Sequence, residues 1–243
     1  MKSYKDDRGF NQIWVDAKST RIRASRRCDY MISHMQPAPG KSVLEVGCGT
    51  GEICRMLAER TGMNVLGVDF CTPFIDKAKQ RNTCANASFQ VADVNRTSDF
   101  GGQVFDYIVG NGVLHHLYYT LNASLKNLKS LLKPGGRLIF MEPNLKNPYV
   151  YCIFSYDVLR EKASLEPAEM AFTKKFAEKQ LQEAGFRGIK VEYKDFLLPG
   201  VPDCFINPLI IAGDVLERTP LRVVSQSLGI VANNCSEPTD PSP

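Results

Sequence analysis

Short β-branched strands alternating with amphipathic helices predict an α/β chain built on a doubly wound, mostly parallel sheet. Parallel neighbours need a crossover, and the crossover is normally a helix. Two further observations agree. An apolar strand at 43–46 runs straight into three closely spaced glycines and then a helix, and the next two strands end in aspartates. The 243 residues, 44% hydrophobic and 23% charged, suffice for a sizeable core, which excludes fibrous and wholly disordered classes.

The elements follow in order. Residues 1–39 read as a helical lead-in or lid, with Ile13, Trp14, Ile22, Tyr30, Met31 and Ile32 at apolar positions and Pro37, Pro39 and Gly40 closing it. The main domain covers 40–232. Strands are expected at 42–46, 64–68, 88–91, 105–109 and 137–141, and helices at about 52–60, 73–80 and 120–132. A stretch at about 143–171, rich in Tyr and Phe, is too long for a simple connection and reads as a structured cap. Thr173 is placed to cap a helix ending at Gly185, a strand follows at 189–196, and a second insertion spans about 197–225. Within it, 205–224 reads as helical, broken near Pro208 and Pro220. A last short strand lies at 227–232, and the polar tail 233–243 is expected to be disordered.

Charge and cysteines narrow the function classes. Thirty Lys and Arg against 26 Asp and Glu give a net charge of +4, too small an excess to argue for nucleic acid. Lys18, Arg21, Arg23, Arg26 and Arg27 crowd one segment, either as a solvated helix face or with one or two arginines holding a carboxylate or phosphate. No apolar run approaches the roughly 20 residues that cross a bilayer. The N-terminus carries charges where a signal peptide is apolar, so a cytoplasmic location is the expectation. Eight cysteines without a CxxC pair, and only three histidines, predict neither a disulfide nor a metal site.

The sharpest feature is Gly47, Gly49 and Gly51 between strand and helix. Glycines there let the backbone turn tightly and approach a ligand closely, presenting amide N–H groups and a helix N-terminus. Asp69 ends the next strand 22 residues past Gly47, the offset at which an acidic residue meets ribose hydroxyls. Asp93 ends the third strand at the same sheet edge. The ligand so described is nucleotide-like. The glycine spacing is GxGxG, not the GxGxxG of dinucleotide enzymes.

In LEVGCGTGE at 44–52, GVDF at 67–70, ADV at 92–94, FDYIVGNGVLHHL at 105–117 and LKPGGRLIFMEPN at 132–144, the chain resembles the class I S-adenosylmethionine-dependent methyltransferases. The resemblance implies a seven-stranded Rossmann-like sheet whose last strand, 227–232, runs antiparallel, with S-adenosylmethionine as cofactor and S-adenosylhomocysteine as product. It places Glu45, Gly47, Cys48, Gly49 and Gly51 beside the methionine part of the cofactor and Asp69 and Phe70 beside the ribose strand end. Asp93 and Val94 would meet the adenine, and Gly110 and Asn111 the sulfonium. An N-terminal arginine, Arg23 or Arg27, would reach the cofactor carboxylate.

A sulfonium methyl is already electrophilic, so the protein must chiefly align a nucleophile and remove its proton if it has one. His116 and His115, just beyond the fourth strand, are the catalytic candidates. Glu142 and Asn144 stand on the same edge, either for a substrate or to build the turn, and Tyr149, Tyr151, Phe154 and Tyr156 are candidates for the cap's inner wall. No NPPY-like tetrapeptide or Pro-Cys nucleophile appears. The two insertions point to an enclosed pocket for a small-molecule acceptor methylated at O, N or C. The apolar 205–224 segment leaves peripheral membrane contact or a subunit partner open. The competing readings are a non-catalytic cofactor-binding scaffold or activating subunit, and a nicotinamide-dependent oxidoreductase that the glycine spacing disfavours.

Overall fold

Apolar strands buried on both faces make the centre of the molecule, as a parallel sheet requires. The structure is a computed structural model and describes residues 3–11, 13, 14 and 17–235. A two-strand hairpin, β1 (Ser3–Tyr4) with β2 (Ile13–Trp14), precedes α1 (Lys18–Ser33). The lead-in is therefore a hairpin and one helix, not helix throughout. Gly9 at φ +86° and Asn11 at φ +54° turn the chain in a way a right-handed helix excludes.

The main domain runs β3 (Ser42–Val46), α2 (Glu52–Thr61), β4 (Asn64–Asp69), α3 (Thr72–Arg81), β5 (Ala87–Val91), β6 (Phe105–Asn111), α4 (Leu121–Ser130) and β7 (Leu132–Pro143). The cap at 143–171 contains α5 (Pro148–Ser155) and α6 (Asp157–Lys162). Then come α7 (Lys174–Glu183), β8 (Arg187–Lys194), α8 (Asp203–Leu216) and β9 (Ser227–Asn233). The Thr173 hydroxyl accepts from the Phe176 N–H at 3.2 Å, as its cap position predicts.

The sheet order is β5-β4-β3-β6-β7-β9-β8, with β9 antiparallel to both neighbours and the other strands parallel in direction. Alternate residues feed two cores. Val43 faces a layer with Met31, Leu57 and Ile75 of the first three helices, whereas Leu44 faces one with Leu125, Leu181 and Phe186 around α4 and α7. At β3 the order reverses, leaving a crevice at the carboxyl ends of the strands where β4 and β6 diverge.

Three boundaries differ from the sequence reading. α8 runs through Pro208 without a break: the proline stands near the start of the helix, and the one bond it forgoes, to the Cys204 carbonyl, lies in the first turn. Asn233 closes β9, and Asn234 just beyond it is tied to the sheet by its side chain, which donates to the Leu132 carbonyl at 2.8 Å, so neither belongs to the tail. The rest of the expected tail, 236–243, lies outside the described residues. The arginine segment is also not one solvated face, because Arg23 and Arg27 point inward with only 13% and 11% of their side chains exposed.

Candidate functional site

The loop leaving β3 sets the site. Gly47, Gly49 and Gly51 take φ of +63°, +52° and +81°, where a side chain is strained. A Cβ on Gly47 would lie 2.6 Å from Val113, and one on Gly51 2.7 Å from Phe89. The first glycine lets the loop lie against the chain beyond β6; the last seats α2 on β5. A cavity of about 430 Å³ opens above this loop. Gly47, Cys48 and Gly49 line it, and Gly51 packs beside it against Phe89 and Ala78.

The strand ends supply the polar wall. Asp69 accepts from the Gly49 N–H at 3.0 Å and the Cys71 N–H at 2.9 Å. Burial raises its pKa against those two bonds. Phe70, Asp93 and Val94 line the same wall, with the Phe70 ring half exposed at the rim. Glu45 is 2% exposed, faces the cavity, and has Oε2 without a hydrogen-bond partner; burial pushes its carboxyl up to about 8.

Gly110 and Arg23 do not line the cavity. Gly110 lies outside the cavity, where a Cβ would collide with Phe140, so it serves strand packing. Asn111 does reach the cavity and accepts from Arg27 at 2.5 Å. Arg23 faces away: it donates to Gln226 at 2.7 Å and lies 3.9 Å from Asp195. Arg21 and Thr20 line the cavity instead, because two residues turn a helix by about 200°.

The histidines divide in the same way. His115 is buried and does not line the cavity. Its Nδ1 lies 2.7 Å from Glu142 and its Nε2 3.0 Å from Glu169. Burial opposes its charge, but the hydrogen bonds to Glu142 and Glu169 outweigh it and raise its pKa to about 9. With both nitrogens engaged it is no free base. His116 does line the cavity, with Nδ1 3.5 Å from Glu166 and 3.6 Å from Glu169. Glu142 also accepts from the N–H groups of Val113 and Leu114 at 3.0 and 2.9 Å, and Asn144 donates to the carbonyls of Val223 and Ser225; both build turns. Tyr149, Tyr151 and Tyr156 are about half exposed away from the cavity, and Phe154 packs beside His115.

A family model described as a methyltransferase domain matches residues 43–136, the stretch holding the glycine loop, both aspartates and the histidine pair. Residues 43–136 thus form a methyltransferase domain, and the sheet around them has the fold of S-adenosylmethionine-dependent methyltransferases. An uncharacterized methyltransferase of Mycobacterium bovis is 35% identical over 122 residues, covering 49% of this chain and 60% of its own length. The ubiquinone biosynthesis O-methyltransferase of Coxiella burnetii is 37% identical over 118 residues, covering 47% and 49%. The chain thus spans about half the length of these curated relatives. The solved complex of the Haloferax volcanii Trm112 methyltransferase activator with a methyltransferase matches with a TM-score of 0.67 at 15% identity, covering 90% of this chain and 93% of that one; at this identity the likeness is one of fold.

S-adenosylmethionine is the cofactor that this domain family takes, and the cavity fits it. Gly47 and Gly49 present backbone with no Cβ in the way, Asp69 and Asp93 stand at two strand ends, and three buried polar atoms on the lining residues, Glu45 Oε2, Thr20 Oγ1 and His116 Nδ1, lack partners. The cavity is also lined by residues that the sequence did not single out. Asp6 and Asn11 of the hairpin and Ser164, Leu165 and Glu169 of the cap roof the cavity. No local pattern marks them; chain topology alone brings them to the glycine loop.

Proposed function

We propose that the methyltransferase transfers a methyl group to an O, N or C atom of a small-molecule acceptor by in-line displacement. The observation that carries this is the roof. Asn11 donates from its backbone to the Ser164 carbonyl at 3.1 Å, joining hairpin and cap over a cavity that already contains the cofactor wall. Such an enclosure suits a small acceptor better than a polymer. S-adenosylmethionine supplies an electrophilic methyl group when bound. Gly47, Gly49, Asp69 and Asp93 hold and orient it, and the cap excludes water. Arg21 takes the place proposed for Arg23 as the cation near the cofactor's carboxylate. His116 is the imidazole on the remaining wall and serves the acceptor side of the reaction.

Calorimetric titration with S-adenosylmethionine, S-adenosylhomocysteine and NAD tests the cofactor wall before any acceptor is known. Binding of the first two and not of NAD is expected. Asp69→Ala is expected to weaken that binding by about 1–3 kcal/mol, the cost of lost charge-assisted hydrogen bonds; unchanged affinity would remove Asp69 from the ribose. Acceptor screening with S-adenosylhomocysteine release as the readout then identifies the substrate. On it, His116→Ala is expected to lower turnover by roughly a hundredfold.

One observation favours a partner as well. On α8, Phe205, Leu209, Ile211 and Val215 are all exposed, between 38% and 67%. Light scattering of the purified chain, alone and after Ile211→Glu, reads whether this face self-associates.

A further inference from the structure

We propose that His115, His116 and Glu169 hold a divalent metal cation on the acceptor side of the cavity, contrary to the sequence expectation of no metal. The inference rests on the acceptor reading of that wall and gives His116 its role there, as a ligand to an ion that takes up the acceptor's oxygen or nitrogen. Four observations carry it.

The first is distance. One donor atom from each of the three side chains lies within 4.8 Å of the others. His115 Nε2 is 3.0 Å from one Glu169 oxygen, and His116 Nδ1 is 3.6 Å from the other. Ligands bound at about 2.0–2.2 Å around a tetrahedral or octahedral ion stand roughly this far apart. Those two distances, 3.0 and 3.6 Å, match the edges of such a coordination polyhedron.

The second is orientation. Glu142 lies against Nδ1 of His115 at 2.7 Å, and three backbone N–H groups, from Val113, Leu114 and His115, hold that carboxylate in turn. A carboxylate behind one ring nitrogen fixes the tautomer and presents the other nitrogen to a metal. Here that other nitrogen is the one aimed at Glu169.

The third is an orphan. His116 Nδ1 is buried and makes no hydrogen bond, though it faces two carboxylates. The fourth is charge. Of the three glutamates against the two rings, Glu166 pairs with Arg8, whereas Glu142 and Glu169 have no arginine or lysine partner among the described residues. With both imidazoles neutral, as metal ligands are, those two carboxylates leave two negative charges, which one divalent ion would balance.

The donor set also indicates the use. Two imidazoles and one carboxylate form the ligand sets of catalytic ions that keep a position free for substrate. His116 and Glu169 line the cavity, so the free position opens into it. A hydroxyl bound there would be a stronger acid than in water. Glu166 stays tied to Arg8 and Asn11 and is not a ligand.

The test reads metal directly. The full chain, stripped with a chelator, is titrated with MnCl2 while the paramagnetic resonance of free Mn2+ is followed. ZnCl2 is titrated calorimetrically in a Cys204→Ser, Cys235→Ser background, since those two thiols are exposed and would compete. One tight ion per chain is expected, with affinity at least tenfold weaker in Glu169→Gln and in His116→Ala. Melting by circular dichroism establishes that each variant is folded, and Glu169→Gln keeps the side-chain shape should His116→Ala not fold. The proposal is overturned if neither ion binds stoichiometrically, or if a folded Glu169→Gln binds as tightly as the parent chain. A parallel titration with S-adenosylhomocysteine reads the cofactor wall separately, so loss of that reading and loss of the metal site are distinguishable.

Discussion

Glu45 shows how one side chain can tie cofactor to stability. Its carboxyl is buried on the cavity wall, and burial, with Glu52 and Asp69 nearby adding like charge, raises its pKa to about 8. Between about pH 4.5 and pH 8 the folded chain therefore keeps a proton that the unfolded chain has lost. Stability from this group falls as pH rises through that window, by as much as about 1.4 kcal/mol per unit, and is level above it. Glu45→Gln is expected to gain on the parent chain between pH 5 and pH 8 in urea denaturation. A cationic ligand at this wall restores the carboxylate, so S-adenosylmethionine binding at pH 7 should release a proton. Heats measured in phosphate and in Tris should differ for the parent chain and agree for the variant. At this scale the sequence was informative where a residue ends a strand. Asp69 and Asp93 reach the cavity because strand ends share one edge. Arg23 did not, because helix phase decides which arginine faces in, and a cationic run does not display its phase. Glu169 could not be read at all, since it meets His115 across 54 positions of sequence.

Elements explain which glycines bind and which pack. Gly110 sits in β6 opposite Phe140 of β7, and a Cβ there would strike the Phe140 ring and the Val113 side chain. Gly110→Ala is expected to destabilise the chain by about 1–3 kcal/mol through overpacking. Phe140→Leu in the same chain should recover part of that loss, as a double-mutant cycle in urea would show. The alternation of strands and helices was legible throughout 42–143, because each strand is a short apolar run bounded by turn residues. The cap is legible as structured, but the sequence leaves its aromatic residues open between packing and the inner wall. Residues 163–169 take that place instead, since α5 buries Val150 and Phe154 and turns its tyrosines outward.

At the scale of the whole molecule, the roof is closed by few groups. Arg8 reaches Asp6 at 2.8 Å and Glu166 at 2.6 Å and lies 4.6 Å over the Phe70 ring, so one guanidinium joins hairpin, cap and cofactor wall. The Arg8 side chain is 42% exposed, which limits what the pair contributes to stability. Its loss should show in rates: Arg8→Ala is expected to speed S-adenosylhomocysteine release by roughly two- to tenfold in stopped flow, with the melting temperature nearly unchanged.

The strand order also sets a timetable. β8 pairs only with β9, and β9 lies between β7 and β8. On the ribosome β8 therefore emerges before its one neighbour in the sheet exists, while β7 waits with an open edge carrying Leu138, Phe140 and Met141. Closing the sheet demands that a later segment slide between two earlier ones, a long-range step of the kind that folds slowly and leaves strands exposed to wrong pairing. A stalled nascent chain ending before residue 227 should accordingly be captured by chaperones that bind unpaired strands, and release them only once 227–233 have been made.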